Sequence, residues 1–210
     1  MANLRIIFVD PNPNFKAAID EFFKDVPNIQ TVVGKFQQIP DFDCMVSPAN
    51  SFGLMDGGVD ADIIGYFGYP LMERVQNRIL ADYLGEQPVG TCIIVETGHP
   101  QHPYLAHTPT MRVPMTIAHT DNVYKAMWAL LLAVRQHNRT AARKIESIVC
   151  PGLGTGTGQV PYRQAAWQMS IAYRHYLNPP AHLDWRYAEY VHSQVRYGGD
   201  DGLHFPPEWA

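Results

Sequence analysis

The sequence predicts an α/β fold, a mostly parallel or mixed sheet with helices on both faces. Two observations predict it. Short, β-branched apolar runs alternate with longer stretches whose apolar residues recur at helical spacing. In addition, two glycine-rich turns, after Ser47 and after Cys150, each follow a strand-like run and precede a helix-like one. Both therefore fall at carboxyl ends of strands, where sheets of this kind hold ligands, and can face one cleft. At 210 residues with 46% apolar and 17% charged content, the chain suits one large globular domain.

The elements follow in order. Leu4 to Val9 reads as a buried strand, ended by Asp10-Pro11-Asn12-Pro13. A helix is expected to about Val26, because Phe15, Ala18, Ile19, Phe22, Phe23 and Val26 share one face, with Asn12 or Asn14 as cap. Ile29–Val33 and Asp43–Ser47 are the next strands. Helices are expected over Asp60–Phe67 and from Pro70 to about Leu84. Val89–Thr97 reads as a strand, and Tyr104–Thr108 and Met111–Val113 as short extended pieces. Asp121 is the expected cap of a helix through Val134. Ile145–Cys150 is the last strand and Tyr162–Tyr176 the last helix. Domain boundaries follow: residues 1–177 form the α/β domain. Residues 178–210 form an irregular extension whose Trp185, Tyr187, Tyr190, Tyr197, Phe205 and Trp209 suggest packing back on the domain.

The first turn, Val46 to Asp60, sets Asn50, Ser51, a Gly57-Gly58 pair and Asp60 between strand and helix. Glycines admit a ligand close to the backbone, and N–H groups at a helix start attract anions. Locally, two readings stay open: a turn that holds a phosphate beside a polar side chain, or a plain connection. The second turn has glycines at 152, 154, 156 and 158. It lacks the Gly-Lys-Ser/Thr of a P-loop, since Gln159-Val160 follows Gly158, and it does not fit G-x-G-x-x-G. What remains is a glycine-rich turn with Thr155 and Thr157 hydroxyls, which suits a diphosphate cradle better than the alternative, a mobile glycine loop.

Together the turns resemble the macrodomain family. An Asn-Ala-Ala-Asn-like motif reads Ser47-Pro48-Ala49-Asn50, and a Gly-Gly-Gly-Val-Asp-like run reads Asp56-Gly57-Gly58-Val59-Asp60. A Ser-Thr-Gly-x-(aromatic)-Gly-x-Pro-like loop reads Gly154 to Pro161, ahead of Ala165-Ala166. Val89-Gly90-Thr91-Cys92 as a strand and the helix from Asn122 also resemble family features. The resemblance covers roughly Gly34 to Tyr176. It implies a three-layer α/β/α sandwich with a central mixed sheet, binding ADP-ribose. By motif match, the candidate catalytic residues are Asn50, at the distal ribose, and Asp60, which orients or activates water. The implied ligand-binding residues are Ser51, Gly57, Gly58, Val59, Gly154, Thr155, Gly156, Thr157 and Gly158. Four positions depart from the pattern. Lys35 stands where the family has an acid that reads the adenine amine, with Asp10 the candidate replacement. Gly158 stands where an aromatic is expected, with Phe52 or Tyr162 as alternatives. Ser47 replaces the first motif Asn, and Ile64 a histidine.

Other readings are weaker. Net charge is -4 without a basic stripe, which argues against nucleic acid. The longest apolar run, Ala126–Val134, is too short for a bilayer, and the first residues lack a signal-peptide pattern. Three isolated cysteines suggest reduced buried thiols and a cytoplasmic setting. No cofactor is expected. His99, His102 and His107 lie among prolines with no completing ligands, so no metal is expected either. Asp60 and Asp62 do not share a helix face, and Asp62 is expected in solvent. The expected activity is hydrolysis of an ADP-ribosyl linkage in an ADP-ribosylated protein, O-acetyl-ADP-ribose or ADP-ribose 1″-phosphate. The alternatives are a non-catalytic ADP-ribose reader and an assembly protein that keeps only the fold.

Overall fold

A computed structural model describes residues 4–195. Strand β1 (Arg5–Asp10) sends Ile6 and Phe8 to one face of the sheet and Ile7 and Val9 to the other, because strand side chains alternate. All four are buried. That two-sided burial requires helices on both faces. The remaining strands are β2 (Ile29–Val33), β3 (Cys44–Ser47), β4 (Ile93–Glu96), β5 (Tyr104–His107) and β6 (Ser147–Cys150). They lie in the order β2-β1-β6-β3-β5-β4. Every neighbouring pair is parallel except the edge pair β4–β5, so the sheet is mixed.

Helices α1 (Pro13–Phe22), α4 (Asn122–Thr140) and α5 (Tyr162–Leu177) cover one face. Their Phe15, Ile19, Met127, Leu130, Ala165 and Met169 pack with Ile6, Phe8, Val46 and Ile148. Helices α2 (Gly58–Phe67) and α3 (Pro70–Tyr83) cover the other. There Ile63, Leu71, Val75 and Ile79 meet Ile7, Val9, Met45, Leu105 and Val149. Each fully buried side chain of this size is worth roughly 1.5–3 kcal/mol. The fold is the expected three-layer α/β/α sandwich with a mixed sheet.

One topological feature positions the site. Strands β3 and β6 are neighbours, yet the chain leaves β3 for α2 on one face and β6 for α5 on the other. Parallel neighbours whose connections part to opposite faces leave a crevice at their carboxyl ends. At the opposite end, Asp43 Oδ2 accepts from Glu146 N (2.8 Å), Ser147 N (2.9 Å) and Ser147 Oγ (3.0 Å), fixing where the two strands begin.

Several boundaries differ from expectation. Helix α1 stops at Phe22, where Phe23 turns out of helical geometry and donates its N–H to Ile19. The expected cap Asn12 does accept from Asn14 N (2.9 Å). Val89–Cys92 is not strand: Thr91 N–H and Oγ both turn back onto Pro88 O, and only Ile93–Glu96 reaches the sheet. Strand β6 begins at Ser147 because Ile145 N is taken by Asn138 Oδ1 and Glu146 N by Asp43. Asp121 makes no side-chain cap on α4; Thr120 Oγ accepts from Asn122 N (3.3 Å). Helix α4 continues past Val134 to Thr140, since Arg135 to Thr140 are polar residues that a helix tolerates on its open face.

Within the segment expected to be irregular, Trp185–Gln194 forms helix α6, started by Asp184, whose carboxylate accepts from Tyr187 N (2.7 Å). None of its residues is buried, and Trp167 Nε1 donates to Gln194 O at its end (2.8 Å). Tyr197, Phe205 and Trp209 lie outside the described residues. His99 and His102 stack ring on ring, 4.8 Å apart, and His102 Nδ1 meets Phe42 O. His107 is buried against Gln87, and burial drives its pKa down to about 3. Among the described residues, no helix is long and apolar enough to cross a membrane.

Candidate functional site

At the crevice between β3 and β6 lies a cavity of ≈ 370 Å³. That is within the size range of small-molecule sites. Both glycine-rich turns border it, as the two-turn pattern predicts. Its lining includes Asn50, Gly57, Gly58, Val59 and Asp60 from the first turn, and Gly154, Thr155, Gly156, Thr157 and Gly158 from the second.

Gly57, Gly58 and Gly156 leave open space where a Cβ would stand, so backbone faces the cavity unscreened. Gly58 has φ +56°, a conformation that strains other residues. It opens α2 without any side-chain cap, and α5 likewise starts uncapped at Pro161. First-turn N–H groups of α2 therefore lack intrahelical partners and are available to an anion. The only lysine or arginine in the lining is Lys35, against four carboxylates: Asp10, Asp56, Asp60 and Asp62. Among the described residues, the lining thus offers an anion chiefly backbone N–H groups.

Asp60 is 8% exposed and sits in the first turn of α2. Its Oδ1 accepts from Ser47 Oγ at 2.6 Å. Burial raises its pKa to about 7, against the lowering effect of that hydrogen bond, and nearby Asp56 adds to the rise. Near neutral pH this carboxyl can both take and give a proton.

Asn50 lines the cavity, but its carboxamide is engaged in the turn itself. Oδ1 accepts from Phe52 N (3.0 Å) and Leu54 N (3.3 Å), and Nδ2 donates to Leu54 O (2.8 Å). One N–H remains for a ligand. Ser51 is the expected residue that is not brought to the cavity: it is 1% exposed and absent from the lining. Its N–H goes to Arg112 O and its carbonyl accepts from Gln87 N.

The departures from the motif have local causes. At Gly158 a Cβ would stand 2.5 Å from Gly154 O and 2.8 Å from Ile117 Cγ1, so this loop has no room for an aromatic there. Of the two alternatives, Tyr162 borders the cavity and Phe52 does not. The Phe52 ring instead lies 5.5 Å from the Arg112 guanidinium. Lys35 Nζ is 3.3 Å from Asp62 Oδ1. The Asp62 side chain is partly exposed to solvent, as expected, and pairs with Lys35 at the edge of the cavity. Asp10 borders the same end, and burial raises its pKa.

Sequence reasoning missed Thr110, Met111 and Pro114 as lining residues. They arrive because the β3–β5 pairing continues beyond both strands, through Thr108 N to Ser47 O, Thr110 N to Ala49 O, and an Asn50–Met111 bridge. The extended reading of Met111–Val113 was the only available signal.

A switch-point cleft between two glycine-rich turns defines an α/β ligand-binding domain. The Macro domain family model matches residues 46–169, more than half of the chain, and the protein belongs to that family. An uncharacterized protein of Aquifex aeolicus (strain VF5) is 35% identical over 143 residues, 68% of this chain and 78% of that one. A variant of the Oceanobacillus iheyensis macrodomain, solved with ADPR, aligns with TM-score 0.55 at 22% identity, covering 67% of this chain and 74% of that one. The macrodomain of Mycobacterium tuberculosis DarG aligns with TM-score 0.51 at 22% identity, covering 65% and 84%.

Proposed function

We propose that the protein binds ADP-ribose or a derivative between its two glycine turns and hydrolyses an ADP-ribosyl linkage. The observation that carries the reading is the single cavity bordered by both turns, with uncapped helix N-termini and a buried carboxyl of raised pKa. Backbone N–H groups of Gly58, Val59 and the Gly154–Gly158 loop hold the diphosphate, and Asn50 donates its remaining N–H toward the distal ribose. Asp60 takes the proton of a water that attacks the linkage. Macrodomain structures solved with ADPR and with ADP support the ligand class. Asparagine, glycine and aspartate variants of the O. iheyensis protein have been solved, spaced by seven residues and then three, the spacing from Asn50 to Gly57 to Asp60. Candidate substrates are ADP-ribosylated protein side chains, O-acetyl-ADP-ribose and ADP-ribose 1″-phosphate.

A second reading, a non-catalytic reader, is favoured by one observation: the Asn50 carboxamide oxygen is already occupied by two backbone N–H groups. Calorimetric titration with ADP-ribose tests the shared part. Binding in the micromolar range is expected, weakened roughly tenfold or more by Gly156→Glu, which sets a carboxylate against the diphosphate. Turnover of the three substrates, lost in Asp60→Ala with affinity kept within a few fold, separates hydrolase from reader. Absence of heat at millimolar ligand would end both.

A further inference from the structure

Serine at position 47 has no packing reason to be there. It closes a strand whose other residues, Cys44, Met45 and Val46, are all fully buried, and it is itself 0% exposed. An alanine would fit the strand equally well and leave no hydroxyl to satisfy. Among the described residues, the hydrogen bond of that hydroxyl runs to Asp60 Oδ1, at 2.6 Å. Ser47 is not part of the cavity lining, whereas Asp60 is. The hydroxyl thus reaches Asp60 from outside the cavity lining.

We infer that Ser47 is the positioning residue of the site: it holds one carboxylate oxygen of Asp60 and leaves the other for the water that reacts. This inference rests on the hydrolase reading and adds a residue to it. Three features carry it. The pair is buried, so its hydrogen bond competes little with solvent. The backbone behind the hydroxyl is rigid, since Ser47 O accepts from Thr108 N and the strand is paired on to β5. The other titratable side chains at the cavity are Asp56 on the turn before α2, Asp10 at the end of β1, Asp62 paired with Lys35, and Tyr162 at the start of α5, and the hydrogen bond described for Asp60 goes to none of them. Among the described residues, no cation is paired with Asp60.

Removing the hydroxyl frees the carboxylate to rotate and withdraws the one contact that favours its charged form. Ser47→Ala is therefore expected to lower kcat about tenfold near pH 7 while KM and the ADP-ribose Kd stay within about twofold. The acid limb of its pH profile should move to higher pH. Ser47→Thr, which keeps the hydroxyl, should recover most of the rate. In parallel, the Asp60 carboxyl is followed by NMR in protein labelled with carbon-13 at the aspartate carboxyls, assigned with Asp60→Asn. Its titration midpoint should rise in Ser47→Ala, a readout that needs no turnover. An unmoved midpoint, or an unchanged kcat and pH profile while Asp60→Ala is inactive, overturns the role of Ser47 alone. A wild-type protein that binds ADP-ribose and turns over none of the three substrates overturns the hydrolase reading and the positioning role with it.

Discussion

A carboxyl whose pKa is raised on folding costs the folded protein stability at every pH above its unfolded pKa. Asp60 has an ordinary value of 3.8 when unfolded and about 7 in place. Below pH 4 both states hold the proton and the group contributes nothing. Between about pH 4 and 7 the unfolded chain has lost the proton and the native chain keeps it, so stability falls as pH rises. Above pH 7 the loss is constant. Asp60→Asn keeps an acceptor for Ser47 without the charge. It is expected to match the wild type near pH 4 and to exceed it by roughly 2–4 kcal/mol at pH 8. Urea denaturation of both proteins across that range checks this. Parallel curves would mean that the ionised carboxylate is stabilised where it lies. A stabilising loss of the proposed base is the pattern expected where a site holds a group at the expense of the fold.

At the scale of elements, β3 and β6 carry both glycine turns at one end and share the Asp43 clamp at the other. Asp43→Ala leaves three donors at the start of β6 without their acceptor, at a cost of about 2–3 kcal/mol. The clamp is at the far end of the strands, so ADP-ribose affinity should stay within about twofold. Denaturation and titration of the same variant separate the two effects, and a large loss of affinity would show that strand register governs the turns. These elements were legible in the sequence because the apolar, β-branched runs around Ile7, Val46 and Ile148 signal buried strands on their own. Element ends were not, because they depend on distant partners. Ile145 and Glu146 read as strand, but Asn138 and Asp43 take their N–H groups. Val89–Cys92 looks β-branched and apolar, yet its local turn onto Pro88 prevails over pairing. The cavity was legible to the extent that its walls are glycine turns. Thr110 to Pro114 carry no ligand motif and are present only through β-pairing with Asn50. Ser47 could be read as a departure from the motif, but its contact with Asp60 needs the fold.

For the molecule as a whole, the cavity belongs to the sandwich. The cavity lining runs from Val9 to Tyr162, with no residue from α6. Helix α6 buries none of its residues; Val195 just beyond it is 5% exposed, and the described contacts to the domain include Trp167 Nε1 to Gln194 O and the His175–Tyr190 ring pair. Helix α6 thus lies on the surface of the domain rather than in its core. We propose that residues 1–177 fold and bind as a unit. A chain ending at Asn178 gives up the partner of the Trp167 indole N–H and the surface that Val195 covers, and is expected to lose at least about 1–2 kcal/mol. It should keep its ADP-ribose affinity within about twofold. Thermal unfolding and calorimetry of the shortened chain beside the full one check both statements. A shortened chain that folds with the full-length melting temperature but binds tenfold more weakly would place part of the ligand site beyond Asn178 and move the domain boundary with it.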